Sequence, residues 1–146
     1  MTPARPGHWS RFATAVFNIF NPIPYGLFVG TLIFDIIYAN TGNVFWTKGA
    51  AWLVTVGLLF AIIPRFINLG HVWFAPRYAV TSNEKLDFWL NLLGIIAAIV
   101  NAFVHSRDAY GVVPMAVILS VITVVFLSAG QISLGVRQAR FQGDGA

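Results

Sequence analysis

Four long apolar runs divide the chain: Ile23–Ala39, Ala50–Asn68, Leu86–Val104 and Val112–Leu134. Each meets or exceeds the roughly 17 residues that a helix needs to cross a hydrocarbon layer. Lipid offers no water to the backbone, so a helix that satisfies its own hydrogen bonds is the expected state, despite many β-branched residues. One such run could be a buried core helix of a soluble protein. Four of them in 146 residues leave almost no polar sequence to cover them. Only 10% of the residues are charged, against about 25% in soluble domains, so the solvent for this surface is lipid. The expected fold is all-α: an integral membrane four-helix bundle over residues 22–135, with a short N-terminal interfacial helix and no soluble domain.

That interfacial helix is expected within residues 1–21. Trp9, Phe12, Val16, Ile19 and Phe20 share one helical face, and Arg11, Thr14 and Asn18 the opposite one, the pattern of a helix lying at headgroup depth. The Asn21-Pro22-Ile23-Pro24 segment should end it and open the first span. Nothing in MTPARPGHWSR reads as a cleaved signal peptide. The connections Asn40–Gly49, Gly70–Lys85 and His105–Gly111 are polar, and residues 136–146 read as a basic, flexible tail. Lys and Arg set the orientation. Arg5, Arg11, Arg77, Lys85, Arg137 and Arg140 flank one side of the membrane, and Lys48 and Arg107 the other, six against two. Both termini and the middle connection are therefore expected in the cytoplasm. Trp46 and Trp52 then mark the outer interface, and Trp73, Tyr78 and Trp89 the inner one.

Polar residues inside the spans are the candidate functional groups, because each is costly in lipid. They are Asp35, Arg65, Asn68, Asp87 and Asn91, with Gln131 near the inner side and Asn101 near the outer. Asp35 sits about 6 Å from the outer end of its helix, and Arg65 about 22 Å from the outer end of its own, at 1.5 Å per residue. A direct Asp35–Arg65 bond is not expected. Arg65 can reach Asp87 or Glu84, and Asp35 can reach Lys48, Arg107 or His105. Two structural clamps, one at each interface, explain these groups better than an ion path, since no ladder of ionisable groups joins the two levels. Gly26 with Gly30, Gly57 with Ala61 and Gly94 with Ala98 have the small-residue spacing that lets helices approach, within one bundle or between copies.

Several chemistries are excluded or disfavoured. There is no cysteine, which removes disulfides, thiolate metal sites, iron–sulfur ligation and cysteine nucleophiles. The net charge of +4 comes from residues scattered at the ends of the apolar runs, which suits anionic lipid rather than nucleic acid. His71 and His105 fall at opposite ends of the bundle, about 25–30 Å apart, too far to share one haem. Ser120, Ser128 and Ser133 have no histidine base at their expected depth. No phosphate loop, GxSxG or HExxH occurs.

Two stretches carry a family resemblance. The first holds Pro24 with Gly26-Leu27, Phe34-Asp35, and Thr41-Gly42-Asn43 with Phe45-Trp46. The second holds Asn91, Arg107 and Gly130 in the third and fourth spans. Over roughly Asn21 to Val136 the chain resembles the bacterial four-helix membrane family known as domain of unknown function 2231. In that family a histidine often precedes the first proline, an aspartate ends the second span and a histidine opens the third. Asn21, Asn68 and Asp87 occupy those places here, so a metal or haem site built on those histidines would be missing. Some relatives are joined to Rieske or cytochrome c-like domains, which implies a setting of membrane electron transfer.

Together these readings lead to a small bacterial inner-membrane protein that is not an enzyme. It would act as an accessory or anchoring subunit, beside a membrane redox partner or as a homo-oligomer, with no catalytic, cofactor or metal residue assigned. The alternatives are a haem- or quinone-binding electron-transfer protein, and a small dimeric transporter with Asp35 as its coupling carboxylate.

Overall fold

In the computed structural model, four helices follow in order: α1 Pro22–Thr41, α2 Val44–Phe74, α3 Ser82–His105 and α4 Met115–Gly143. The structure describes residues 19–74, 82–107 and 111–143, with backbone alone at 64–74, 82–85, 134, 137, 138 and 140–143. Among the described residues there is no strand. All four helices are long and apolar enough to cross a membrane, and the chain is an integral membrane four-helix bundle. The interfacial helix expected before Pro22 falls almost entirely outside the described residues.

The α1–α2 connection is far shorter than the expected Asn40–Gly49 loop. It consists of Gly42 and Asn43 alone. Gly42 takes a left-handed φ of 64° and its N–H donates to the Tyr38 carbonyl at 2.8 Å, closing α1. Glycine is the residue that adopts this conformation without steric cost. Asn43 then opens α2: its Oδ1 accepts from the Phe45 N–H at 3.0 Å, the bond of an N-cap. Thr41 bonds back to the Ile37 carbonyl at 2.8 Å. The Thr-Gly-Asn element is thus a complete stop-and-start signal, and the polar residues around it are helix ends rather than loop.

Two further boundaries move outward. Helix α2 continues through Pro64 to Phe74. The tail expected to be flexible from residue 136 is helical as far as Gly143. Its sequence VRQARFQ lacks proline and is rich in Arg, Gln and Ala, all good helix formers, so a basic composition alone was a poor reason to expect a flexible chain.

Packing follows an up-down-up-down ring in which α1 contacts α2 and α4, and α3 contacts α2 and α4. Register is set by close approaches at small residues. A side-chain carbon built on Gly49 or Gly57 would lie 2.7 Å from the Phe34 ring or 2.9 Å from the Phe28 ring. One on Gly94 would meet Leu127 at 2.9 Å. The small residues at 57 and 94 therefore serve contacts inside the bundle. Gly26 has nothing within 4 Å and makes no such contact. Phe28, Val54, Ala61, Ala98 and Leu127 form the central apolar layer. Tyr38, Val104, Val112 and Ala116 form a second cluster at the end that holds Gly42 and His105, the upper end. The outward faces carry exposed Trp52, Leu59, Phe103 and Val125, as a lipid-facing surface should.

Gly42→Ala should lower stability by about 1–2 kcal/mol through left-handed strain, and Asn43→Ala by about 1 kcal/mol through loss of the cap. Thermal unfolding in mild detergent, followed by circular dichroism, measures both. Unchanged midpoints in both variants would mean that the turn does not hold the α1–α2 hairpin.

Candidate functional site

Asp35 lies on the same face of α1 as Thr31 and Tyr38, and all three point into the bundle, at 1%, 1% and 5% exposure. A carboxylate so placed must find its partners in the core. It finds two. His105, the last residue of α3, brings Nε2 to 2.8 Å from Asp35 Oδ1. Ser120, in the second turn of α4, donates its hydroxyl to Asp35 Oδ2 at 2.5 Å. The Asn101 amide donates from Nδ2 to Ser120 Oγ at 2.7 Å. Three helices meet in one buried polar cluster.

Donor counting fixes the state of the imidazole. His105 Nδ1 lies 2.9 Å from the Asn101 carbonyl oxygen. A carbonyl oxygen only accepts, so Nδ1 carries a hydrogen. The contact between Nε2 and Oδ1 then needs one more proton, since two lone pairs would otherwise face each other at 2.8 Å. Whichever atom holds it, the pair is neutral overall, and both side chains are almost fully enclosed. The arrangement is not a nucleophile–base pair: Ser120 bonds the carboxylate, not the imidazole.

Of the three outer-end partners open to Asp35 from sequence, the structure selects His105. Lys48 and Arg107 are exposed. Ser120 corrects the sequence expectation, because it lies at the level of His105 and shares Asp35 with it. The apolar run begins at Val112, but α4 begins at Met115, so Ser120 is nearer the helix end than the run implied. Asn101, expected near this end, is the fourth member. What sequence reasoning missed is the convergence of the four, which a one-dimensional reading of depth does not contain.

The opposite end holds the second group. Asn91 donates from Nδ2 to Asp87 Oδ1 at 2.8 Å and to the Asp87 carbonyl at 2.9 Å. Both residues are buried against α4 at Gly130, where a built side-chain carbon would lie 2.9 Å from Asn91 Nδ2 and 3.1 Å from Asp87 Oδ1. Gly130 makes room for this polar pair. Tyr25 and Ser128 bond hydroxyl to hydroxyl at 2.9 Å nearby. A cavity of about 20 Å³ lies among Asn21, Tyr25, Phe28, Asn91 and Gln131, room for a water rather than a ring-sized ligand.

The side chains of Arg65 and Asn68, both singled out from sequence, lie outside the described residues. Their backbone still decides one question. Gly49 of α2 packs beside Phe34, and residue 65 lies about 24 Å further along at 1.5 Å per residue. Asp35 and Arg65 are at different levels, as expected. The same helix carries residue 71 away from the end occupied by His105. His105 itself has both ring nitrogens engaged.

Two substitution series test these clusters in detergent unfolding. Asp35→Leu leaves the imidazole without its partner and should cost about 3 kcal/mol or more. Ser120→Ala removes the bond to the carboxylate and the bond from the Asn101 amide but leaves the Asp35–His105 pair in place, and should cost about 1–2 kcal/mol. Equal losses would contradict a charge-sharing pair at the centre of the cluster. Gly130→Val drives a side chain into Asn91 and Asp87 and should cost about 1–3 kcal/mol. A neutral result there would show that α4 can shift away freely.

No curated protein and no solved structure matches the chain. A family described as predicted membrane protein (DUF2231) matches residues 18–142, a stretch that takes in all four helices and both polar clusters. The chain belongs to that family of membrane proteins.

Proposed function

We propose that the protein is a non-enzymatic accessory or anchoring subunit of the bacterial inner membrane, with both termini in the cytoplasm. The observation that carries this reading is the closure of the bundle. In the upper-end cluster Asp35, His105, Ser120 and the Asn101 Nδ2 group bond to one another or to their own helix. The Asp87–Asn91 pair is packed away against Gly130. The layer of Phe28, Val54, Ala61, Ala98 and Leu127 lies between the two. A transported ion would need polar groups through that layer. A body of this kind has its outer surface to offer, and a subunit acts through its surface. The resemblance to relatives joined to Rieske or cytochrome c-like domains suggests a membrane redox protein as the neighbour.

Photocrosslinking residues placed singly at Leu59, Phe103 and Val125, in native membranes, test the subunit role. Crosslinking of one discrete protein from one helix face supports it, and crosslinks to lipid alone from all three sites overturn it. The redox-cofactor alternative has its own test. The protein purified in mild detergent should show no absorption above the aromatic peak, oxidised or reduced with dithionite. A Soret band that shifts on reduction would replace the subunit reading with that of a haem protein. The transporter alternative requires that Asp35→Asn abolish transport while the fold is retained.

A further inference from the structure

The upper-end cluster holds four hydrogen bonds in series, and their direction is readable. His105 Nδ1 donates to the Asn101 carbonyl, a proton joins Nε2 to Asp35 Oδ1, Ser120 donates to Asp35 Oδ2, and Asn101 Nδ2 donates to Ser120. The other amide atom, Asn101 Oδ1, is buried and has no partner. A buried acceptor without a donor calls for an explanation. Here it marks a chain that can run the other way. If Asp35 Oδ2 carried a hydrogen it would donate to Ser120. Ser120 would then donate to Asn101, whose amide turns to present Oδ1 in place of Nδ2. The number of hydrogen bonds is the same in both directions.

We propose that Asp35, His105, Ser120 and Asn101 form a proton-binding centre that holds one proton between Asp35 and His105 and takes up a second on Asp35 Oδ2. The second proton comes from water at the upper end. It forms the Oδ2–H bond while the first proton rests on His105 Nε2 and is donated to Asp35 Oδ1; Ser120 keeps its own hydrogen and only rotates, and the net charge of the cluster rises from zero to +1. Nothing is oxidised or reduced. The opposite change, loss of the first proton, sets two lone pairs against each other and forfeits a bond, so uptake is the easier direction.

The surroundings favour a positive charge at this position. His105 stands in the last turn of α3, where the helix end stabilises a cation. Opposing charges are few. On α1 the titratable neighbour is Tyr38. Among the described residues, on α2 it is Lys48 and beyond α3 it is Arg107, both exposed; Asp108, which follows Arg107, lies outside the described residues. Helix α4 has no titratable residue before Arg137. Water is close at hand, because exposed Ser106 and Arg107 follow His105 directly. They are tied back by the bonds of a single turn, from Ser106 N–H to the Ala102 carbonyl and from Arg107 N–H to the Val104 carbonyl.

Infrared difference spectra of the full chain in lipid nanodiscs, titrated towards acid, test the proposal. Asp35, Glu84, Asp87, Asp108 and Asp144 can all contribute carboxyl bands on acidification, and one band that appears before unfolding should be absent in Asp35→Asn. Ser120→Ala keeps Asp35 but removes the reversing hydroxyl. Without a hydroxyl donating to the ionised carboxylate, the band should shift and proton uptake should strengthen by roughly three-fold, the worth of one hydrogen bond inside a membrane bundle. Spectra in which Asp35→Asn removes no carboxyl band short of unfolding overturn the proposal. Should Asp35→Asn fail to fold, an unmoved band and midpoint in Ser120→Ala overturn it as well.

Discussion

A carboxylate in the core of a membrane bundle has to be neutralised where it stands, since neither water nor lipid can do it. Asp35 meets that requirement with His105 on one oxygen and Ser120 on the other. The two contacts come from different helices, so satisfying one charge fixes the relative height of α1, α3 and α4. Helix α2 contributes no side chain to the bonds of the cluster. It is held by the two-residue turn at Gly42–Asn43 and by the aromatic rings of α1 seated on Gly49 and Gly57. One interaction is electrostatic and the other is close packing, and together they account for the register of all four helices.

The distribution of polarity follows from the solvent. In water the apolar effect drives helices together, but lipid tails are as apolar as the side chains, so packing and internal hydrogen bonds must do that work. Polar side chains accordingly gather at the two ends of the core, Asp35 with its partners above and Asp87 with Asn91 below. Apolar and small residues fill the middle, with Thr31 and Thr123, whose hydroxyls bond carbonyls of their own helices. Helix α3 supplies Asn91, Asn101 and His105, and is also the most enclosed, with 39% of its span buried against 28% in each of the others. The helix that carries the most internal polar bonds is the one with the largest buried share.

This architecture bears on function in two ways. Among the described residues, polar groups paired within the bundle above and below an apolar layer suit a body that works through its surface. At the same time the upper cluster is not inert packing, because four groups that can each donate or accept stand in one chain of bonds. A structural clamp and a proton-binding centre are compatible roles for the same residues: the first depends on how many bonds are made, the second on which way they run.

Membrane placement, the number of helices and the all-α class follow from the sequence by itself, because span length and hydrophobicity are properties of local composition. So does the separation of Asp35 from Arg65, which is a matter of counting residues along helices. Helix ends were less legible. The run of polar residues at Asn40–Gly49 looks like a loop but is made of two caps and the first turn of a helix, and VRQARFQ looks like a tail but is helical. The partners of Asp35 were narrowed to three by depth, and only the tertiary structure chose His105 and added Ser120 and Asn101. Depth is a one-dimensional quantity, whereas a hydrogen bond also needs the rotation of each helix about its axis. That rotation is decided by how four faces pack together and is written in no single span.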